Sequence, residues 1–282
     1  MVSAIAHNLK SLNKHIKDYK KLNSKIVFVP TMGALHKGHI ELAKKATKIS
    51  PFTIVSIFIN PLQFSEKEDL SSYPRDQEKD INLLQDLGVK IIYLPSAEDF
   101  YGKNFSTTVS IGEMGSILCG KSRPNHFNGV TTVITKLFFQ IQPDIAIFGE
   151  KDFQQLQIIR KMTSDLSIKC KLEAVPTVRE KNGLAYSSRN INLTKKQRHI
   201  ASNLYKILKI TSNKISAGNN IYKTCQNAIK SLLKAGFDEV DYFQAVDEST
   251  LYSIDTLKSQ SRLLVAARLG NTRLIDNIKI QE

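Results

Sequence analysis

The sequence predicts an α/β protein in two parts, a parallel β-sheet covered by helices and then a smaller α+β domain. Three observations carry this. Short runs that are apolar at nearly every position recur through the first two-thirds of the chain, helical patterns separate them, and the alternation stops after Pro176. A strand that is apolar on both faces must be buried on both, which a parallel sheet between helix layers provides. The expectation is therefore a Rossmann-like parallel sheet with helices on both faces over residues 1–176, and a C-terminal α+β domain over 177–282.

Each element follows in order. Met1 to Asn23 is lysine-rich and nearly acid-free, and its apolar residues Ile5, Leu9, Leu12 and Ile16 predict an amphipathic helix rather than an arginine-bearing transit segment. Strand Lys25–Val29, helix His39–Ile49 and strand Phe52–Ile59 come next. Helix Arg75–Leu87 ends at Gly88, and strand Val89–Leu94 follows. Helix Phe127–Ile141, strand Asp144–Phe148, helix Lys151–Leu166 and strand Lys171–Val175 complete the alternation. A polar segment, Thr177–Leu193, then leads into two lysine-rich helices, Lys195–Ser216 and Asn220–Ala235. Strands Val240–Val246, Arg262–Leu269 and Leu274–Ile278 close the pattern.

The chain of 282 residues is 41% hydrophobic and 23% charged, ordinary for a soluble globular protein and enough to bury a sizeable core. Its net charge of +14 raises the question of a nucleic-acid partner. The basic excess is concentrated between Ile191 and Phe237, which hold no acidic residue. There the lysines alternate with apolar residues at helical spacing, as on solvated helix faces, and no aromatic-rich RNA-binding signature accompanies them. We therefore expect no nucleic-acid partner. Cys119, Cys170 and Cys225 form no C-x-x-C and fit a reducing compartment, each as a small buried residue. No stretch reaches the roughly 18 apolar residues of a membrane span. The expected location is the cytoplasm, with no membrane partner.

Ligands of open parallel sheets bind at the carboxyl ends of the strands, which directs attention to the residues after Val29, Ile59 and Phe148. After the first strand comes Pro30-Thr31-Met32-Gly33-Ala34-Leu35-His36-Lys37-Gly38-His39. Gly33 permits a left-handed turn and Gly38 a close backbone approach. His36 and His39, three apart at a helix start, add donors where the free N–H groups and the helix dipole already favour an anion. Such a cluster suits a phosphate on which negative charge builds during displacement. A zinc site would need a third ligand that is not nearby.

Asn60 and Gln63 follow the second apolar strand. They can read hydroxyl and carboxylate groups, or simply cap a loop. Asp76 and Asp80 lie i,i+4, a spacing that suits a shared Mg²⁺ or an acidic helix N-terminus. Gly149-Glu150-Lys151-Asp152 with Gln155 offers a phosphate-neutralising lysine and a carboxylate for ribose hydroxyls, or else a helix cap. Tyr186-Ser187-Ser188-Arg189 offers two hydroxyls and an arginine able to close over a triphosphate as a lid, or a polar linker.

The H-x-G-H loop resembles the signature of the nucleotidyltransferase superfamily. Taken with Asn60–Phe64, Arg123–Val130, Gly149–Gln155, Pro176–Glu180 and Ser187–Asn190, it closely resembles the pantothenate synthetase family over essentially the whole chain. The resemblance implies ATP-dependent condensation of (R)-pantoate with β-alanine through pantoyl adenylate, with Mg²⁺ accompanying ATP, in a homodimer. It implies catalytic roles for His36, His39, Lys151, Ser187, Ser188 and Arg189. Met32, Gly33, Gly149, Glu150, Lys151, Asp152, Val178 and Tyr186 would line the ATP site beside those residues. Asn60, Gln63, Arg123 and Gln155 would hold pantoate or β-alanine, and Asp80 would lie near the metal. The family treats the position of His39 as a proton donor. Because phosphoryl transfer depends on positioning and charge stabilisation, both histidines are read first as electrostatic stabilisers. Lys37, Phe153 and Tyr186 depart from the usual pattern without removing a reacting group.

Overall fold

The computed structural model describes residues 3–20, 24–64, 70 and 73–280. Two compact units emerge, one of Met1–Glu150 with Ile158–Pro176, the other of Lys151–Gln157 with Thr177–Glu282.

The first unit is built on six parallel strands, β1 (Ala4–Ala6), β2 (Val27–Thr31), β3 (Thr53–Ile57), β4 (Ile91–Tyr93), β5 (Ile145–Gly149) and β6 (Lys171–Val175), in the order β1-β4-β3-β2-β5-β6. Between them lie helices α1 (Leu9–Lys20), α2 (Lys37–Ile49), α3 (Gln77–Asp86), α4 (Ala97–Tyr101), α5 (Cys119–Ser122), α6 (His126–Ile141) and α7 (Phe153–Asp165). Alternation along β2 shows why the strands read as apolar throughout. Val27 and Val29 pack with Leu42, Ala43 and Ala46 of α2 and Leu84 of α3, whereas Phe28 meets Phe138 of α6 edge-on at 6.4 Å. Each such fully buried side chain contributes roughly 1.5–3 kcal/mol. The predicted parallel sheet with helices is present.

Several expectations need correction. Ile5 is not on a helix but on edge strand β1, in register with Ile92 of β4. The three residues are too few to show a strand period in the sequence. Residues 1, 2 and 21–23 of that expected helix lie outside the described residues. The helix expected from Arg75 starts at Gln77, because Asp76 accepts the Lys79 N–H as its N-cap. A 3₁₀ turn, Glu150–Asp152, precedes α7 where continuous helix was expected. Cys119 and Cys225 are buried as expected, but Cys170 is only half-buried.

The second unit carries helices α8 (Lys195–Ala201), α9 (Asn203–Ser216) and α10 (Ile221–Lys234). Its antiparallel sheet is β7 (Glu239–Asp247), β8 (Ser261–Leu269) and β9 (Thr272–Lys279), with β8 central. The single helix expected over Lys195–Ser216 is divided at Ser202. Leu204 and Leu208 of α9 and Cys225 and Leu232 of α10 share a core with Phe243, Leu263 and Val265. Lys206, Lys209, Lys214, Lys223, Lys230 and Lys234 are exposed, so the basic run lies on the solvated faces of these helices. No helix among the described residues is long and apolar enough to cross a membrane.

Candidate active site

Strand β2 is followed by β3 on one side of the sheet, while β5 and β6 occupy the other. Ligand crevices of open α/β sheets form outside the carboxyl ends at such a reversal of strand order. The segment leaving β2 contains two successive left-handed residues, Gly33 at φ +80° and Ala34 at φ +49°. A side chain at Gly33 would be strained by that φ and would crowd Ile57 and Asp80.

His36 is the N-cap of α2, and its Nδ1 accepts the Gly38 N–H at 3.1 Å. His39 reaches back so that its Nδ1 accepts the His36 N–H at 3.3 Å. The two rings stack with centroids 4.0 Å apart. An imidazole whose Nδ1 accepts a hydrogen bond carries its proton on Nε2. Both rings therefore present an Nε2–H donor, at a helix N-terminus that itself favours anions. A Cβ on Gly38 would lie 2.9 Å from His36 Cε1, so the close approach there is between backbone and the His36 ring.

Asp80 fixes the turn from below. It is buried, and its Oδ1 accepts the Leu35 N–H at 2.8 Å. Burial pushes its carboxyl above the ordinary aspartate value, opposed by the Leu35 and Ala34 backbone hydrogen bonds. Among the described residues no group of three or more His, Cys, Asp or Glu is placed to hold a metal ion. Asp80 Oδ1 is thus engaged by the loop backbone, which ties α3 to the Gly33–Leu35 turn.

The Pro61–Gln63 3₁₀ turn gathers the amides. Asn60 Nδ2 donates to Gln63 Oε1 and to the Gly129 carbonyl, both at 3.0 Å. Gln63 Nε2 in turn donates to Met32 Sδ at 2.8 Å. The structure thus brings Met32, Asn60 and Gln63 together. Arg123 joins them indirectly, with Nη1 donating to His126 Nε2 at 3.0 Å and His126 Nδ1–H donating to the Gln63 carbonyl at 2.8 Å. Gly149 ends β5, and Glu150 follows in the same unit.

The remaining candidates belong to the second unit. Val178 and Tyr186 face one another across a short hairpin, the Tyr186 N–H donating to the Val178 carbonyl at 3.0 Å. Ser187 caps the Ser188–Asn192 turn, its Oγ accepting the Arg189 N–H. This turn packs on β9. Lys151 Nζ lies 3.4 Å from Asp152 Oδ1, and the Lys151 carbonyl accepts from Asn277 Nδ2 of β9 at 3.0 Å. Arg262 Nη1 orients Asn277 by donating to its Oδ1 at 2.7 Å, while its guanidinium lies 4.0 Å over the Phe153 ring. Asp276, next to Asn277, holds Arg179 in a two-pronged ion pair at 2.6 and 2.8 Å. Strand β9 therefore supports both the hairpin that leads to Ser187 and the backbone at Lys151. Gln155 is half-buried at the start of α7 and belongs to this unit, whereas Gln63 belongs to the first.

Residues 4–279 match the family described as Pantoate-beta-alanine ligase. The chain belongs to the pantoate–β-alanine ligase family. Curated pantothenate synthetases from Paramagnetospirillum magneticum and Aquifex aeolicus are 43% and 42% identical. The alignments cover 98% of both chains in the first case and 97% of both in the second. The crystal structure of pantothenate synthetase from Thermus thermophilus is similar, with a TM-score of 0.93 and 36% identity over 99% of this chain and 100% of that one. The pantoate–β-alanine ligase of Francisella tularensis, solved in complex with β-γ ATP and β-alanine, matches with a TM-score of 0.84 and 35% identity, covering 99% and 98% of the two chains.

For this ligase chain the sequence reading missed Tyr101, Arg262 and Asn277, and it included His126 only as part of the Arg123–Val130 segment, with no role of its own. The Arg123-Pro-Asn-His126 spacing before an apolar helix was a usable signal for His126. Asn277 had none, because its partner is 126 positions away.

Proposed function

We propose that this ligase joins (R)-pantoate to β-alanine through pantoyl adenylate, releasing pyrophosphate and then AMP. The observation that carries the reading is the His36–His39 pair, two neutral rings locked with their Nε2–H groups as donors at the carboxyl end of the β2 strand. The Francisella tularensis relative, solved with β-γ ATP and β-alanine, supports ATP and β-alanine as substrates.

In the first step a pantoate carboxylate oxygen forms a bond to the α-phosphorus of ATP, and the bond from that phosphorus to the bridging oxygen breaks as pyrophosphate leaves. Charge grows on the phosphate oxygens, where the two Nε2–H donors and the α2 dipole stabilise it. Neither imidazole need transfer a proton in this step, since donation of a hydrogen bond from Nε2 suffices to stabilise the phosphate charge. In the second step the β-alanine ammonium first gives one proton to solvent, its amine attacks the acyl carbon, the acyl–oxygen bond breaks as AMP leaves, and a second proton passes from nitrogen to solvent.

In the first unit, Met32, Gly33, Gly149 and Glu150 would line the nucleotide site. Asn60 and Gln63 would hold pantoate, with Arg123 acting through His126. In the second, Lys151, Ser187, Ser188 and Arg189 would serve the phosphates as a lid, Asp152, Val178 and Tyr186 would contact the nucleotide, and Gln155 would assist pantoate. Mg²⁺ would enter bound to the ATP phosphates, to which it supplies charge neutralisation, with Asp80 as anchor of the loop rather than ligand. Three unbridged thiols support a reducing cytoplasm, and the family resemblance supports a homodimer.

The test uses pantoate labelled with ¹⁸O in its carboxylate. One label should appear in AMP, and only when ATP, pantoate and β-alanine are all present. Label in inorganic phosphate, with ADP as co-product, would refute adenylation.

A further inference from the structure

The face that Gln63 turns to its surroundings is set through Asn60 by its own turn and by groups of α6 and α4. A side-chain amide can sit either way round unless its neighbours decide. Asn60 is decided by backbone, since its Oδ1 accepts the Leu62 N–H at 3.2 Å and its Nδ2 donates to the Gly129 carbonyl at 3.0 Å. A backbone N–H only donates and a carbonyl only accepts. The same Nδ2 donates to Gln63 Oε1, which leaves Gln63 Nε2 facing Met32, where its acceptor is the thioether at 2.8 Å. Thioether sulfur is a weak acceptor, so a ligand oxygen in its place would make the stronger bond.

A second donor enters Asn60 Oδ1, the Tyr101 hydroxyl, at 2.6 Å. The Tyr101 ring is held among Phe58, Phe100 and Phe105 at centroid distances of 5.9, 4.9 and 4.7 Å. Burial keeps the phenol protonated, well above its ordinary value. Asn60 and Gln63 are themselves buried, so neither amide can correct its orientation by turning to water.

We infer that Tyr101 is a positioning residue for the acid substrate. Together with the Leu62 N–H and the Gly129 carbonyl it fixes Asn60, and through it the Gln63 amide with its N–H groups toward Met32, selecting a ligand that offers a carboxylate or hydroxyl oxygen there. This deepens the assignment of Gln63 to pantoate and rests on it.

The experiment compares Tyr101→Phe, Gln63→Ala and the double variant in steady-state kinetics. Loss of one buried hydrogen bond should raise the KM for pantoate about fivefold in Tyr101→Phe while the KM for ATP changes less than about twofold. In the Gln63→Ala background the same substitution should have almost no further effect on pantoate. Equal rises in both KM values, or independent effects that multiply, would overturn the proposal. If Gln63→Ala alone leaves pantoate binding intact, the assignment of Gln63 fails, and the orientation claim is then decided by the ¹⁵N-resolved side-chain amide signals of Gln63. A displaced signal in Tyr101→Phe supports the relay, and an unmoved one refutes it.

Discussion

His36 and His39 cap each other's turn with the same ring atom, Nδ1, so that one helix N-terminus is closed by the two groups proposed to stabilise the phosphates. Cap and donor can be separated experimentally. An asparagine is a good N-cap but places no Nε2–H at that reach. His36→Asn should therefore keep thermal stability within about 0.5 kcal/mol of the parent, whereas His36→Ala should lose about 1 kcal/mol. Both should slow pantoyl-adenylate formation by about 10²-fold or more, while supplied pantoyl adenylate still reacts with β-alanine at near-normal rate. Rapid-quench measurement of each half-reaction checks this, and equal losses in both would contradict the phosphate-stabilising role.

Asp80 offers a second separation. Asparagine keeps an oxygen to accept the Leu35 N–H and relieves the cost of a buried charge. Asp80→Asn should leave the Mg²⁺ concentration for half-maximal rate unchanged, and Asp80→Ala should lower both stability and adenylation through the loosened turn. A marked rise in the Mg²⁺ requirement of Asp80→Asn would restore the metal-ligand reading.

Asn277 acts on Lys151 through the backbone. Asn277→Ala takes one partner from the Lys151 carbonyl and one from Arg262 Nη1, at a cost of roughly 1–3 kcal/mol. The KM for ATP should rise about tenfold with pantoate KM little changed. Isothermal titration with a non-hydrolysable ATP analogue would read the effect directly, and unaltered nucleotide affinity would detach β9 from phosphate binding.

Glu173 gives a pH signature. Hydrogen bonds and charge from Lys45 and Lys171, both 2.9 Å away, hold its carboxyl below the ordinary glutamate range. A lowered folded-state value contributes stability above the unfolded value and loses it as pH falls through the folded one. The melting-temperature gap between the parent and Glu173→Gln should be full at neutral pH and close below the usual carboxylate range. Because the partners are substantially exposed, about 0.5 M salt should narrow it. A gap that widens on acidification would be inconsistent with this origin.

What the sequence made legible follows from how local each signal was. Strand β2 and the His36–His39 spacing are written in a short contiguous stretch, and periodicity plus a glycine turn suffice to place them. Asp76 and Asp80 share a helix, yet their divergence, one capping α3 and the other turned into the Gly33–Leu35 loop, depends on a fold that no spacing encodes. Strand β1 was lost because its three residues are a strand only by pairing with β4. Asn60 and Gln63 were visible as amides, but their orientation depends on the Gly129 carbonyl and the Tyr101 hydroxyl, 69 and 41 positions from Asn60. The supports of Lys151 lie further still, since Arg262 and Asn277 read as ordinary members of alternating strands.

The bond from Asn277 to the Lys151 carbonyl spans 126 residues. On the ribosome the His36–His39 loop and its strand emerge early, and Lys151 waits for the last strand. With Lys151 serving the phosphates as proposed, its backbone support is complete only once the last strand has been synthesised, long after the residues of the histidine loop.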